Sequence, residues 1–174
     1  MRTLISSFVG ASAVVVAVAV ATAAFDEKLT DNAFIQKAVS AGLTEVKAGQ
    51  MALQKATDAK VKTFAQRVID DHSRANKELE ALARRKGWTL PESIDEKCQN
   101  ELDKLASATM QEFDRKYIGG QIKAHEEAVK VFAEESQTGQ DNDLKNWAAK
   151  TLPTLRDHLQ MAKEAGEGKD GKTR

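Results

Sequence analysis

Cysteine, proline and aromatic residues are scarce in this chain of 174 residues. Cys98 is the only cysteine, which rules out an internal disulfide, so packing alone must hold the core. Two prolines, one tyrosine and two tryptophans, against abundant Ala, Lys, Glu and Leu, favour helices over sheet. An excess of charge of one sign is also missing. The 26 basic and 26 acidic residues balance, so the sequence indicates neither a nucleic acid nor an anionic membrane surface as a partner.

Motifs of common enzyme classes are missing as well. The sequence has no phosphate-binding glycine loop and no G-x-S-x-G motif. Cys98 has no histidine close to it in the sequence, so it is not predicted to be a nucleophile. No catalytic residue is predicted, and these observations favour a binding or structural protein over an enzyme.

The N-terminus has the pattern of an export signal. Arg2 precedes an uncharged run rich in Val and Ala, and "ATAA" (residues 21–24) offers the small residues that signal peptidase requires. We predict that residues 1–24 are a signal peptide, cleaved after Ala23 or Ala24, and that the mature chain is sent to a bacterial periplasm, away from the membrane. The alternative is a permanent membrane anchor, since the run approaches the roughly 20 residues that span a bilayer.

Apolar residues recur at helical spacing in four segments of the mature chain. The predicted helices are residues 31–56, 57–87, about 100–136 and about 143–165. Gly119 and Gly120 predict a kink or break in the third helix, and Pro153 predicts a kink in the fourth. Short turns after the first and third helices, with a longer connection between the second and third, predict an all-α antiparallel four-helix bundle over residues 31–165. The polar, glycine-rich residues 166–174 are predicted to be a disordered tail.

All three histidines of the chain lie on apolar stripes, each on a different predicted helix. His72 follows Val68 on the second helix, and His125 and His158 occupy equivalent positions on the third and fourth. The first helix has no histidine, but Glu45 interrupts its apolar stripe. At about 1.5 Å per residue, the four side chains lie within roughly 10 Å of one another along the bundle axis, so we expect them to converge.

Buried ionisable groups are costly unless they are satisfied, and one metal ion would satisfy imidazoles and a carboxylate together. We therefore predict a single metal site formed by Glu45, His72, His125 and His158. Zinc is the default ion for such ligands, and iron, copper or manganese are the alternatives. The competing interpretation is a metal-free polar network in a structural or interaction protein of the cell envelope, such as one made under stress. The sequence indicates no particular protein partner.

Four segments also carry a likeness to a known group of proteins. They are "EVKAGQMALQKA", "FAQRVIDDHSRANKELEALARRKG", "FDRKYIGGQIKAHEEAVKVF" and "WAAKTLPTLRDHLQMAK". The sequence resembles the bacterial family called domain of unknown function 4142 over about residues 31–165. The match includes Asp71 next to His72, "FDRKY" before His125, and "LPTLRDH" ending at His158. The resemblance implies an exported protein with a ferritin-like fold, and it implies no activity.

The sequence departs from the two-iron pattern that many ferritin-like proteins share. Those proteins hold iron through glutamates and paired Glu-x-x-His motifs. Here the residues three positions before the histidines are Ile69, Ile122 and Leu155. Glu45 is the one clear carboxylate on an apolar stripe, and Asp71 is rotated about 100° from its neighbour His72 on the helix. Two-iron ferroxidase or oxygenase chemistry is therefore disfavoured.

Overall fold

The computed structural model describes residues 29–170, which form five α-helices. They are α1 (Asp31–Lys55), α2 (Ala59–Lys86), α3 (Glu96–Ala106), α4 (Met110–Thr138) and α5 (Asn142–Asp170). No strand occurs in this range, so the predicted all-α class is confirmed. The predicted signal peptide lies outside the described residues. Within them, every helix is too short or too polar to cross a membrane.

Side chains and one glycine fix where the helices begin and end. Thr30, Asp58 and Asp95 each accept a hydrogen bond from a main-chain N–H in the first turn of α1, α2 and α3. The second helix ends at Gly87, whose φ of 70° lies in the left-handed region. The helix boundaries therefore follow from local chemistry.

The four long helices form a bundle in which neighbouring helices are antiparallel. The start of α1 meets the α4–α5 turn, where Asp31 accepts the main-chain N–H of Gln140 at 2.8 Å. Its other end meets the start of α4, where Asp114 accepts the main-chain N–H of Thr57 at 3.2 Å. Ion pairs between α2 and α5 give the same antiparallel direction. Because α2 and α4 then run parallel, residues 87–109 must return along the bundle, which is the long crossover of ferritin-like folds.

The single third helix predicted over residues 100–136 was wrong, because the chain breaks into two helices there. α3 ends at Ala106, and α4 begins at Met110. α3 belongs to the crossover and packs on the outside of the bundle, where its cap Asp95 donates its main-chain N–H to Ser40 Oγ of α1 at 2.8 Å. Leu102 is buried there. Helical periodicity indicates which residues of a helix are buried. It does not indicate which neighbouring helix buries them, and that neighbour differs between α3 and α4.

The last helix is longer than predicted. α5 passes through Pro153 and continues to Asp170, so residues 166–170 of the predicted tail are helical. Residues 171–174 lie outside the described part of the chain. The kink predicted at Pro153 stays a prediction.

The two glycines of α4 do not break it, and they contrast with a glycine in α1. An added Cβ at Gly119 or Gly120 would meet no atom within 4 Å, whereas at Gly49 it would lie 2.7 Å from Ile69 Cγ1 and 3.2 Å from the main-chain oxygen of Ala65. We expect Gly119→Ala and Gly120→Ala each to raise the free energy of unfolding by about 1 kcal/mol. Gly49→Ala should lower it by about 1–3 kcal/mol through overpacking. Urea unfolding measures all three, and equal effects at Gly49 and Gly119 would contradict this packing.

Two apolar clusters fill the bundle, one toward each end. One surrounds Phe64 and Phe113 near the α1–α2 turn, and the other surrounds Phe34 and Trp147 near the α4–α5 turn. Between the clusters, every long helix contributes a side chain to a polar layer. This polar layer consists of Glu45, Asp71, His72, Gln121, His125 and His158. The core is therefore apolar at both ends and ionisable in the middle, and the candidate site lies in this middle layer.

Candidate metal centre

The three histidines converge in the polar layer from three different helices. Their ring centroids lie 5.6 Å apart for His72 and His125, 5.4 Å for His72 and His158, and 5.2 Å for His125 and His158. One nitrogen from each ring lies within 4.8 Å of the other two. The sequence predicted this meeting from the apolar stripes, and the packing of α2, α4 and α5 produces it.

Glu45 lies in the same layer but outside this group of three. It is 6% exposed, and its Oε2 accepts a hydrogen bond from Gln121 Nε2 at 2.7 Å. The structure therefore brings together three of the four residues predicted as ligands. The fourth is held by a glutamine from α4, and the pattern of α1 alone gives no information about what α4 presents opposite to it.

The hydrogen-bond partners of two histidines fix which ring nitrogens carry a proton. His125 Nδ1 lies 2.9 Å from the main-chain oxygen of Gln121, which can only accept, so Nδ1 is the donor. His158 Nε2 lies 3.1 Å from Asp71 Oδ2. As an ionised carboxylate also only accepts, Nε2 of His158 is the donor there. In the neutral rings, the lone pairs are consequently on His125 Nε2 and His158 Nδ1.

These two nitrogens face each other, 3.2 Å apart. Two lone pairs at this distance repel unless a cation lies between them, and the cation is either an additional proton or a metal ion. Burial and then the neighbouring His125 lower the pKa of His158, which opposes an additional proton on the His158 ring. The buried pair is therefore arranged to accept a cation between its two nitrogens, and a metal ion is one such cation.

The separation of the two nitrogens suits one metal ion. Ligands about 2.0–2.1 Å from a tetrahedral zinc lie about 3.3 Å from each other. His72 supplies a third nitrogen, since its buried Nε2 has no hydrogen-bond partner within residues 29–170. Three convergent imidazoles with an unfilled fourth position are a recognised donor set for zinc and copper.

Asp71 is the residue of the polar layer whose contact with the histidines the sequence did not predict. Its side chain is buried, and it contacts His158 on one side and the exposed Arg67 and Arg74 on the other. Burial raises the pKa of Asp71, but the hydrogen bonds from His158, Arg74 and Arg67 outweigh burial and hold the pKa below its ordinary value. The arginines four residues before and three residues after Asp71 are the sequence signal that could have revealed a carboxylate requiring compensation.

The metal-free protein should lose stability in acid through His72. Burial of the ring, and next the neighbouring His125 and His158, hold the pKa of His72 well below its ordinary value. The folded state therefore binds this proton less readily than the unfolded chain. Its contribution to stability is complete above about pH 6.5 and is lost as the pH falls from there through the lowered pKa. Melting curves of chelator-treated protein between about pH 8 and 5 test this. In His72→Leu, the melting temperature should fall less steeply as the pH is lowered. An equally steep slope in that variant would contradict it.

Comparison with known proteins shows the family to which the chain belongs. The chain belongs to the family described as "Domain of unknown function (DUF4142)", whose model matches residues 16–165. This confirms the resemblance found in the sequence. No curated protein matches the chain.

Solved structures share the fold at low sequence identity. CopM in its Cu(II)-bound form is 23% identical, with a TM-score of 0.68 over 80% of this chain and 97% of that chain. CopM in its Ag-bound form, prepared by soaking, is 24% identical, with a TM-score of 0.69 over 83% and 99%. A DUF305 fragment from Deinococcus radiodurans is 16% identical, with a TM-score of 0.67 over 77% and 93%. At these identities the likeness establishes the helical-bundle fold.

Proposed function

We propose that this protein binds one transition-metal ion in the middle of the bundle through His72, His125 and His158. The observation that carries the proposal is the 3.2 Å approach of two imidazole nitrogens whose outer nitrogens are already committed as donors. Asp71 and the main-chain oxygen of Gln121 then serve as the outer partners that metal-bound histidines usually have. A metal-free network leaves this pair of lone pairs without a bridging cation.

The proposed ion is zinc or copper. Imidazole nitrogens suit both, whereas manganese prefers carboxylate and water oxygens. CopM, which shares the fold, has been solved with Cu(II), Cu(I) and Ag bound. That is a property of CopM, and for this chain it supports including copper and silver among the ions tested.

Glu45 is proposed as a counter-charge within the polar layer. A buried carboxylate needs an opposite charge or several hydrogen bonds. Among the described residues, the hydrogen bond that Glu45 accepts comes from the neutral amide of Gln121. A metal ion held by the three imidazoles would supply the positive charge. Glu45→Gln should therefore retain one equivalent of metal, with weaker affinity.

Metal analysis of tag-free protein tests the proposal. After dialysis against Zn(II), Cu(II) or reduced Cu(I), we expect about one equivalent per chain in the wild type. His125→Ala should bind none, and Glu126→Ala, an exposed neighbour on the same helix, should bind as the wild type does. Circular dichroism of each variant establishes that it is folded. Failure of the wild type to retain any ion would favour the metal-free structural protein of the cell envelope.

The proposed place of action is the periplasm. If the predicted signal peptide is removed, the intact mass of material from a periplasmic extract should correspond to a chain beginning at Ala24 or Phe25. Full-length protein found only in the membrane fraction would mean that the N-terminal segment is an anchor.

A further inference from the structure

We propose that His72 is the exchange ligand of this site, the histidine that leaves the ion first so that a donor from outside the protein can take its place. The inference rests on the proposed metal site and goes beyond it, because it makes the protein a carrier that hands its ion on. Three differences between His72 and the other two histidines support it.

The first difference is anchoring. The outer nitrogen of His125 is held by the main-chain oxygen of Gln121, and that of His158 is held by Asp71. No hydrogen bond joins either ring nitrogen of His72 to another group in residues 29–170. An imidazole without such a partner can turn about its side-chain bonds without breaking a buried hydrogen bond.

The second difference is exposure. His125 and His158 are each 1% exposed, whereas His72 is only half-buried. Its Nε2 is nevertheless buried and faces the polar layer. Taken as a whole residue, His72 is therefore the ligand nearest the surface of the bundle, although its ring is largely enclosed.

The third difference is position on the α1–α2 seam, the line where Gly42 and Gly49 of α1 meet Asn76 and Ile69 of α2. Asn76 Oδ1 lies 2.1 Å from the place of a Cβ on Gly42, and Ile69 Cγ1 lies 2.7 Å from that of Gly49. The helices therefore approach closely at two levels, and His72 lies between those levels, one turn from Ile69 and one turn from Asn76. The stretch of the seam between these two levels, next to His72, is the route that the proposal assigns to an incoming donor.

The described residues thus give two ligands that are anchored by hydrogen bonds and one, beside the seam, that is not. A zinc ion held by three histidines would have its fourth position open, so an incoming donor could bind before the outgoing histidine left. Transfer by this route is associative, and its rate depends on the concentration of the acceptor. Transfer that required the bundle to open would instead have a rate independent of the acceptor.

Stopped-flow transfer of zinc from the loaded wild-type protein to 4-(2-pyridylazo)resorcinol, with imidazole added, distinguishes these routes. We expect the rate to double each time the imidazole concentration is doubled. A rate that does not change with imidazole or with chelator would overturn the proposal. If the wild type retains no zinc at all, the proposed metal site itself fails, which is a separate outcome seen before any kinetics.

Imidazole rescue provides a second test with a matched pair of variants. His72→Ala opens a cavity beside the seam, so free imidazole should enter and restore most of the zinc affinity. His125→Ala opens a cavity of the same size in the closed interior, and free imidazole should not restore binding there. Competition titrations measure both affinities, and circular dichroism checks the fold. Rescue of both variants, or rescue of His125→Ala alone, would contradict the assignment of His72.

Discussion

Zinc is expected to raise the melting temperature of the wild-type protein by about 8–16 °C, and His72→Leu is expected to abolish this increase. Zinc that binds only the folded state at a concentration about 1,000 times its dissociation constant adds about 4 kcal/mol. For a domain of this size, each kcal/mol corresponds to about 2–4 °C. Melting curves with zinc and with chelator measure the difference, and Ser73→Ala, the adjacent position, should keep it.

The metal-free form of the same variant separates a metal site from a dry polar network. His72 Nε2 is buried without a hydrogen-bond partner in the described residues, so leucine removes an unsatisfied atom and leaves no group newly unpaired. We expect the metal-free His72→Leu protein to be at least as stable as the wild type. A network in which His72 bonds its neighbours would instead lose about 1–3 kcal/mol. That loss, with unchanged zinc dependence, would remove His72 from the site.

Removal of the Asp71 side chain should weaken zinc binding by about 10–100-fold, although Asp71 is not a ligand. Its carboxylate accepts the Nε2 proton of His158 and so keeps the lone pair of that ring on Nδ1. In Asp71→Ala this control is lost and either nitrogen can carry the proton. Arg67 and Arg74 have side chains 58% and 62% exposed, so they turn to water at little cost.

Two further variants distinguish positioning from general damage to the fold. Asp71→Asn keeps an oxygen that can accept from His158, so zinc affinity should lie between that of the wild type and that of Asp71→Ala. Asp70→Ala removes an exposed carboxylate from the adjacent position and should bind as the wild type does. Competition titrations against a zinc chelator give the affinities. Equal losses in the Asn and Ala variants would mean that the charge of Asp71, and not its hydrogen bond, is what matters.

The sequence predicted the meeting of the histidines because that meeting depends only on helix faces. His72, His125 and His158 each interrupt an apolar stripe at a similar depth, and any bundle that buries those stripes brings the rings together. The hydrogen-bond partners of the histidine rings could not be predicted in the same way. Whether Glu45 meets a histidine or Gln121 depends on which helices are adjacent and on their rotation, and a single helix does not encode either.

The same limit explains Asp71 and the third helix. Asp71 lies about 100° from His72 on α2, which looks like the wrong side for a site partner until α5 is known to pack there. Leu102 has the spacing of a core residue, and it is buried, but by the crossover packing on α1. In each case the pattern identified burial correctly, and the tertiary arrangement decided what the buried residue contacts.

X-ray diffraction from crystals of zinc-loaded protein, collected on both sides of the zinc absorption edge, tests the central claim most directly. We expect one anomalous peak per chain, within bonding distance of His125 Nε2, His158 Nδ1 and a ring nitrogen of His72. A peak bound instead at Cys98 or at surface carboxylates, with the three imidazoles empty between the two apolar clusters, would contradict it.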